Sequence, residues 1–294
     1  MTTFAQATNV RETARLRFDP TRTGVISWNT FAPQGRLRFR LLRALSPSSA
    51  WYNYAEWHPT GRKSFSPVSD TDGVSVDVDI IHAQTPFDGI ELHADDVDFH
   101  LLAFASPMRS AASLPFAREA MILDVPAFSQ YVHDHERGWC SPASVAMVST
   151  YHGRNAGVEE TACSVVDRAY NGTGNWAFNT AFCGQLGLRA VVAYLQNLDH
   201  AQRLIERNLP VVVSYSWHDG ELPNAPLEHS NGHLAVLCGF TADGNCVVND
   251  PAAPAVRVVY PRAALESIWQ RNGGVSYVIA PVGIDYESVL AGPA

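Results

Sequence analysis

The chain has 294 residues, 46% of them hydrophobic, with 7 Trp and 13 Phe, which is enough apolar mass for two packed cores or one large one and excludes a disordered chain. A formal net charge of -8 argues against nucleic acid as a general partner. No apolar run reaches bilayer-spanning length. Met1-Thr2-Thr3-Phe4-Ala5-Gln6-Ala7 lacks the basic and apolar regions of a secretory signal, so the expected location is cytoplasmic as written, or secreted if a signal peptide was removed.

The first third of the chain reads as β structure. Arg36-Leu37-Arg38-Phe39-Arg40-Leu41 alternates at period two. So does Val74-Ser75-Val76-Asp77-Val78-Asp79-Ile80, which follows the hairpin-type turn signal Asp72-Gly73. His100–Ala105 reads as one more strand, and Ser46-Pro47-Ser48-Ser49 and Asp70–Gly73 separate the runs. In Trp51–Trp57 the alternation puts Trp51, Asn53, Ala55 and Trp57 on one face and Tyr52, Tyr54 and Glu56 on the other, an aromatic set suited to packing or to a sugar or peptide. Residues 1–105 are therefore expected to form an all-β, sandwich-like module, followed by a Ser/Ala/Pro-rich linker over 106–120 and an α+β domain over 121–294.

In that last segment, Ser141–Tyr151 predicts a helix with Ala143, Ala146, Met147, Thr150 and Tyr151 on one face, Pro142 in its first turn and Gly153 past its end. Asp199–Glu206 reads as a second helix, stopped by Asn208-Leu209-Pro210. Strands are expected at Val211–Tyr215, His233–Phe240 and Cys246–Pro251, the last two joined by a turn at Ala242–Asn245. A helix from about Arg262 to Arg271 and a strand at Val275–Ala280 follow.

The five cysteines, Cys140, Cys163, Cys183, Cys238 and Cys246, are odd in number and do not form a dense disulfide framework. Cys238 and Cys246 read as small apolar residues on a hairpin rather than a zinc pair. His133 and His135 flank Asp134 without a third ligand at suitable spacing, so no metal and no cofactor is expected. Gly172-Thr173-Gly174-Asn175-Trp176 is glycine-rich but lacks the strand–loop–helix context of a phosphate loop. Trp217–Asn231, with Gly220, Pro223 and Pro226, reads as an ordered loop leading into His233, with a gating lid as one reading.

Cys140 stands apart from the other cysteines. It lies in Gly138-Trp139-Cys140-Ser141-Pro142-Ala143-Ser144, at the start of a predicted helix, where free N–H groups and the helix dipole favour thiolate. A histidine is needed to accept the thiol proton and a third group to orient its ring. His233, after Gly232, and Asp250, before Pro251, supply these in order, and Asn249 is a rival to Asp250. Gln130 is placed to donate to an oxyanion.

Four segments carry a resemblance: Val125-Pro126-Ala127-Phe128-Ser129-Gln130, Trp139–Ser144, Gly232-His233-Leu234-Ala235-Val236 and Val248-Asn249-Asp250-Pro251. Over residues 124–281 the chain resembles the papain-like cysteine peptidases, and within them the bacteriocin-processing, double-glycine leader peptidase type in a stand-alone bacterial form. That resemblance implies a helix bearing the cysteine packed on an antiparallel sheet. It implies Cys140 as nucleophile, His233 as general base, Asp250 as the orienting acid and Gln130 as oxyanion donor. The Gln130-to-Cys140 gap is longer than the papain-like spacing, with His133–His135 in the extra loop. Trp139, Trp176 and Asn179 are expected to line a substrate cleft.

The expected activity is a thiol hydrolase acting on a peptide or protein through a Cys140 acyl-enzyme. A transglutaminase-like acyl transferase and a non-enzymatic binding protein on the same scaffold are the alternatives. No nucleic acid or integral membrane segment is expected, and the sequence sets no oligomeric state.

Overall fold

Alternating apolar residues and left-handed turns build the first part of the chain into strands: β1 (Phe4–Asn29), β2 (Gly35–Arg43), β3 (Ser46–Pro47), β4 (Tyr52–His58), β5 (Gly61–Ser64), β6 (Val68–Ser69), β7 (Val74–Asp77) and β8 (Ile80–Ala105). Then come β9 (Met121–Ile122), α1 (Cys140–Tyr151), α2 (Val158–Val165), α3 (Trp176–Gln185), β10 (Arg189–Tyr194), α4 (Leu198–Ile205), β11 (Val211–Trp217) and β12 (Ser230–Phe240). The chain continues through β13 (Cys246–Asn249), β14 (Arg257–Tyr260), α5 (Arg262–Arg271), β15 (Val275–Ala280) and α6 (Tyr286–Leu290). This computed structural model describes residues 3–108, 119–131 and 138–290. Most of the expected linker, and His133, Asp134 and His135, lie outside the described residues. No helix among the described residues is long and apolar enough to cross a membrane.

The chain divides into two units, one made of residues 1–107 and 163–192 and the other of 108–162 and 193–294. The first unit thus takes in a stretch that sequence patterning groups with the second. Its sheet is antiparallel, in the order β5-β4-β2-β8-β7-β6, with β1 beside β8 and β3 beside β2. Leu101–Ala105 of β8 pair with Phe4–Thr8 of β1 on one side and with Val25–Asn29 of β1 on the other, so the sheet rolls back on itself. Register shifts interrupt the β1–β8 ladder, one of them between Arg11 and Thr13, where Glu12 takes a left-handed backbone angle. The rolled sheet encloses Trp28, Phe39, Tyr54, Trp57, Ile90 and Phe104, all buried.

Two local expectations change here. Val74–Ile80 is not one strand, because Val78 adopts φ 55° and the chain reverses between Asp77 and Ile80. Opposite Leu37 and Arg38 of β2, Tyr54 is an extra residue on β4, a bulge that shifts the register. Tyr54 and Trp57 therefore both face the core instead of opposite faces. Trp51 stays on the outside, with the Arg40 guanidinium 4.8 Å over its ring.

Helix α3 belongs to the core of this first unit through Ala177, Phe178 and Ala181, with Phe178 edge-on to Trp28. It shows no amphipathic signature because Ala177–Gly184 are all buried. Asn175 caps it by accepting from the Phe178 N–H at 3.0 Å, and the buried Asp79 carboxylate accepts from the N–H groups of Trp176 and Ala177 at 2.5 and 3.3 Å. Asn29 reaches both Thr180 and Ala190 carbonyls and accepts from the Ala190 N–H. The Gly172–Trp176 stretch therefore does open a helix, with a side-chain carboxylate at its N-terminus.

The second unit is built on the strand order β15-β11-β12-β13-β14, with β9 beside β12 and β10, which ends in this unit, beyond β15. Helix α1 packs on it, with Ser144 Oγ donating to the Leu234 carbonyl at 3.2 Å and Ser141 Oγ 3.0 Å from Tyr277 Oη. The expected one-sided helix is instead buried from Ser141 through Ser149, with the Ser141 and Ser144 hydroxyls satisfied by those partners. Gly153, at φ 75°, ends it: its N–H bonds Thr150 O while the Arg154 N–H bonds Ser149 O, the paired pattern of a left-handed cap. At the bulge in β12, Gly239 lies where β9 crosses, and an added Cβ would stand 2.0 Å from Met121 O.

Two outcomes follow. Gly239→Ala forces the backbone of β9 away from β12 and is expected to lower stability by roughly 1–3 kcal/mol in chemical denaturation. Burial, opposed in part by the Trp176 and Ala177 N–H groups and reinforced by the charge of Asp167, raises the Asp79 carboxyl to about 7. The folded value lies above the unfolded one, so stability is full below the unfolded carboxyl range of about 4 and falls as pH rises through about 7. Asp79→Asn keeps an acceptor for the helix but loses the charge; its melting temperature is expected to exceed that of the parent chain at pH 8, by at least about 2 °C, and to match it near pH 4.

Candidate active site

The chemistry collects at the start of α1 and on β12, β13 and the turn after it, all in the second unit. Cys140 is the first helical residue, preceded by Trp139 as the cap, and is partly exposed. Pro142 sits in the first turn, where a missing N–H costs no helical bond. The thiol hydrogen-bonds His233 of β12, which pairs with Tyr215 of β11. The His233 Nε2 lies 2.8 Å from Asp250 Oδ1, so the ring turns Nδ1 to the sulfur.

Asp250 is fully buried and follows the last residue of β13. Its N–H bonds Val256 O at 2.7 Å and its carbonyl accepts from Ala253, closing a tight turn over 250–256. Oδ1 also accepts from the Ala252 N–H at 2.9 Å. Oδ2 accepts from Tyr260 Oη at 2.7 Å and from Tyr215 Oη at 3.3 Å. Asn249, the rival on the opposite face of the strand, donates to the carbonyls of Val125 and Pro126 and accepts from Arg257 Nε. It clamps the segment after β9 and does not meet the histidine.

The electrostatics agree with the distances. Burial alone would raise the Cys140 thiol, but the hydrogen bond and charge of His233, with the backbone at Leu234 and Ser141, reverse this and hold it below the ordinary thiol value. Burial would lower His233; the Asp250 charge and hydrogen bond, and then Cys140, push it well up instead. Burial would raise Asp250, yet the His233 charge and hydrogen bond, the Tyr260 hydroxyl and the Ala252 N–H keep it below the usual carboxylate range. All three directions favour the charged form of their group. Trp217 and Tyr215 stand edge-on to the His233 ring at 5.6 and 5.5 Å.

Gln130 is buried, and its N–H donates to Pro251 O at 3.0 Å, beside the Asp250 turn. Its Oε1 has no hydrogen-bond partner among the described residues. Trp139 packs with Phe128, Ala143, Ala146, Val158 and Ala162, which is a core role rather than a cleft-lining one. Asn179 is likewise wholly buried, its amide donating to the Thr173 and Asn175 carbonyls before α3, so it braces that turn and lines no cleft. Both Asn179 and Trp176 belong to the first unit, whereas Cys140, His233 and Asp250 belong to the second.

The loop after β11 is anchored. Glu221 accepts from the His218 N–H and from both terminal nitrogens of Arg271, and Trp217 Nε1 donates to Leu227 O. Tyr260 and Tyr215, which complete the carboxylate's shell, were not marked by any sequence motif. The one signal available was their place on strands flanking Asp250 and His233.

The site implies a reactivity that can be measured. Because the folded thiol lies below its ordinary value, Cys140 alkylation by iodoacetamide is expected to inflect below about pH 8.5, and in His233→Ala the inflection returns to or above that value.

The sequence model of the Peptidase_C39 like family matches residues 122–277. Among solved structures, a C39-like peptidase from Bacillus anthracis shares 18% identity at a TM-score of 0.40, covering 55% of this chain and 98% of that one. A double glycine motif protease from an AMS/PCAT transporter, solved in complex with the leader peptide, shares 17% at 0.38, covering 56% and 100%. The peptidase domain of Streptococcus ComA, a bi-functional ABC transporter, shares 16% at 0.36, covering 56% and 99%. No curated protein matches the chain. The matched span takes up more than half of the chain and contains Gln130, Cys140, His233 and Asp250: the chain belongs to the Peptidase_C39 like family and is a cysteine peptidase-like hydrolase.

Proposed function

We propose that the protein hydrolyses a peptide or amide bond of a peptide or protein substrate through a covalent acyl-enzyme on Cys140, with His233 and Asp250 completing a triad. The observation that carries this reading is the 2.8 Å contact from His233 Nε2 to Asp250 Oδ1, with Cys140 on the ring's other side. A histidine held at one nitrogen by a buried carboxylate exchanges protons at the other.

The Cys140 thiolate attacks the scissile carbonyl carbon, forming the C–S bond and placing negative charge on the carbonyl oxygen. Backbone N–H groups at the start of α1 and the Gln130 side chain are the donors to that oxygen. As the C–N bond breaks, His233 delivers its Nδ1 proton to the departing nitrogen, leaving a thioester and a free amine. Water then attacks the thioester, His233 takes the water's proton, and the C–S bond breaks. The product carboxylic acid leaves, and the imidazole's proton restores the thiolate–imidazolium pair. Asp250 holds the ring in the required tautomer throughout and offsets its positive charge.

The test is a peptide-library cleavage assay read by mass spectrometry. Cys140→Ala is expected to abolish cleavage, and His233→Ala to lower kcat/KM by on the order of 10²–10⁴-fold. Cys140 is expected to carry the acyl group of a slow ester substrate after an acid quench. Cleavage that persists in Cys140→Ala sinks the reading, and capture of the acyl group by an added amine in preference to water would make the enzyme an acyl transferase.

A further inference from the structure

Asp250 Oδ2 is the oxygen turned away from His233, yet it too has two partners, both tyrosine hydroxyls. Tyr260, on β14, donates to it at 2.7 Å and Tyr215, on β11, at 3.3 Å. Both tyrosines are fully buried, and they approach from strands on either side of the β12–β13 pair. The titratable groups around the carboxylate are thus His233 from β12, Tyr215 from β11 and Tyr260 from β14, with Cys140 of α1 beyond the imidazole. Arg257, also on β14, turns to Asn249 Oδ1 and the Val125 carbonyl.

A carboxylate on a single Cβ–Cγ bond rotates unless both oxygens are held. The Ala252 N–H steadies Oδ1, but that oxygen also has to meet the imidazole. Hydroxyls on Oδ2 fix the plane of the group and favour its charged form. Burial and the Asp250 charge push the hydroxyl protons of both tyrosines well above the ordinary phenol range, so they stay donors across the working pH range.

We propose that Tyr260, with Tyr215 as a weaker second donor, is a positioning residue of the reaction, holding Asp250 turned to His233 so that Cys140 remains a thiolate at neutral pH. This rests on the triad reading given above. Without the Tyr260 hydroxyl, Oδ2 keeps only the longer Tyr215 bond, so the carboxylate is held less firmly and takes up a proton more readily. His233 then loses its counter-charge, and the Cys140 proton returns to the sulfur. The ring itself packs as before in Tyr260→Phe, so the loss is of the donor alone.

The experiment is the pH profile of iodoacetamide alkylation of the full chain, followed at Cys140 by peptide mass mapping, with the exposed Cys163 of the same chain as internal reference. Tyr260→Phe is expected to move the Cys140 inflection up by about one pH unit and to slow its alkylation at neutral pH by about ten-fold, leaving Cys163 unchanged. Tyr215→Phe is expected to move it in the same direction by less. A folded Tyr260→Phe protein with the wild-type Cys140 profile overturns the proposal, even if its stability has fallen, because the hydroxyl is then only a satisfied core group. If Tyr260→Phe fails to fold by circular dichroism, Tyr215→Phe decides on the same oxygen: a raised inflection supports the proposal and a wild-type profile overturns it. His233→Ala separates the two readings. If it leaves Cys140 alkylation unchanged, the triad itself fails and this inference with it; if it slows alkylation while Tyr260→Phe does not, only the positioning role fails.

Discussion

A carboxylate buried to zero exposure has to be met by donors on every side, and the placing of Asp250 against His233 organises most of the second unit. The donors come from four places in the chain: the histidine of β12, the turn residue Ala252, and tyrosines on β11 and β14. Each requires its strand to lie in one register, because a slip of one residue would turn His233 or Tyr215 to the other face. The same turn receives Gln130 through Pro251, while Asn249 and Arg257 hold Val125 on the other side of the strand. One demand for hydrogen bonds therefore draws together His233, Asp250 and the segment that carries Gln130.

The cysteines show how far environment alone decides chemistry. Cys238 and Cys246 lie on neighbouring strands, and burial pushes both thiols up to about 12. Cys140 is displaced in the opposite direction because its burial is overcome by the hydrogen bond and charge of His233 and by the backbone at Leu234 and Ser141. The helix that delivers it is lined with Ser141, Ser144 and Ser149 rather than large apolar residues. Those hydroxyls let α1 sit inside the unit with its polar groups satisfied. A bulkier, wholly apolar helix would bury as well but would lose the bonds to Leu234 and Tyr277.

In the first unit a different buried carboxylate does structural work. Asp79 stands at the N-terminus of α3 with no part in the thiol chemistry, and Asn29 stitches α3 and β10 to β1. These bonds explain why residues 163–192 group with a sheet formed a hundred residues earlier in the chain. The chain enters that unit, leaves it, returns for α3 and leaves again, so a cut at a single sequence boundary does not reproduce its organisation.

Local sequence determined the elements whose signals are local. Pro142 and Gly153 bracket α1, Asn208-Leu209-Pro210 ends α4, and apolar runs joined by a turn mark β12 and β13, because caps, turns and apolar runs act over a few residues. The proposed order of nucleophile, base and orienter, Cys140, His233 and Asp250, came from the sequence too, since each stands next to a distinctive neighbour. Tertiary structure alone decided the rest. The bulge at Tyr54 reversed a face that alternation had assigned, Asn179 went into the interior to brace a turn, and α3 hid its helical period by being buried all round. Asp250 rather than Asn249 meets the histidine because the pleat of β13 sends them to opposite faces, and which face holds His233 depends on strand pairing across the sheet. Tyr215 and Tyr260 had no signature at all, because a tyrosine on a strand becomes a donor to a particular oxygen only when two other strands have placed that oxygen beside it.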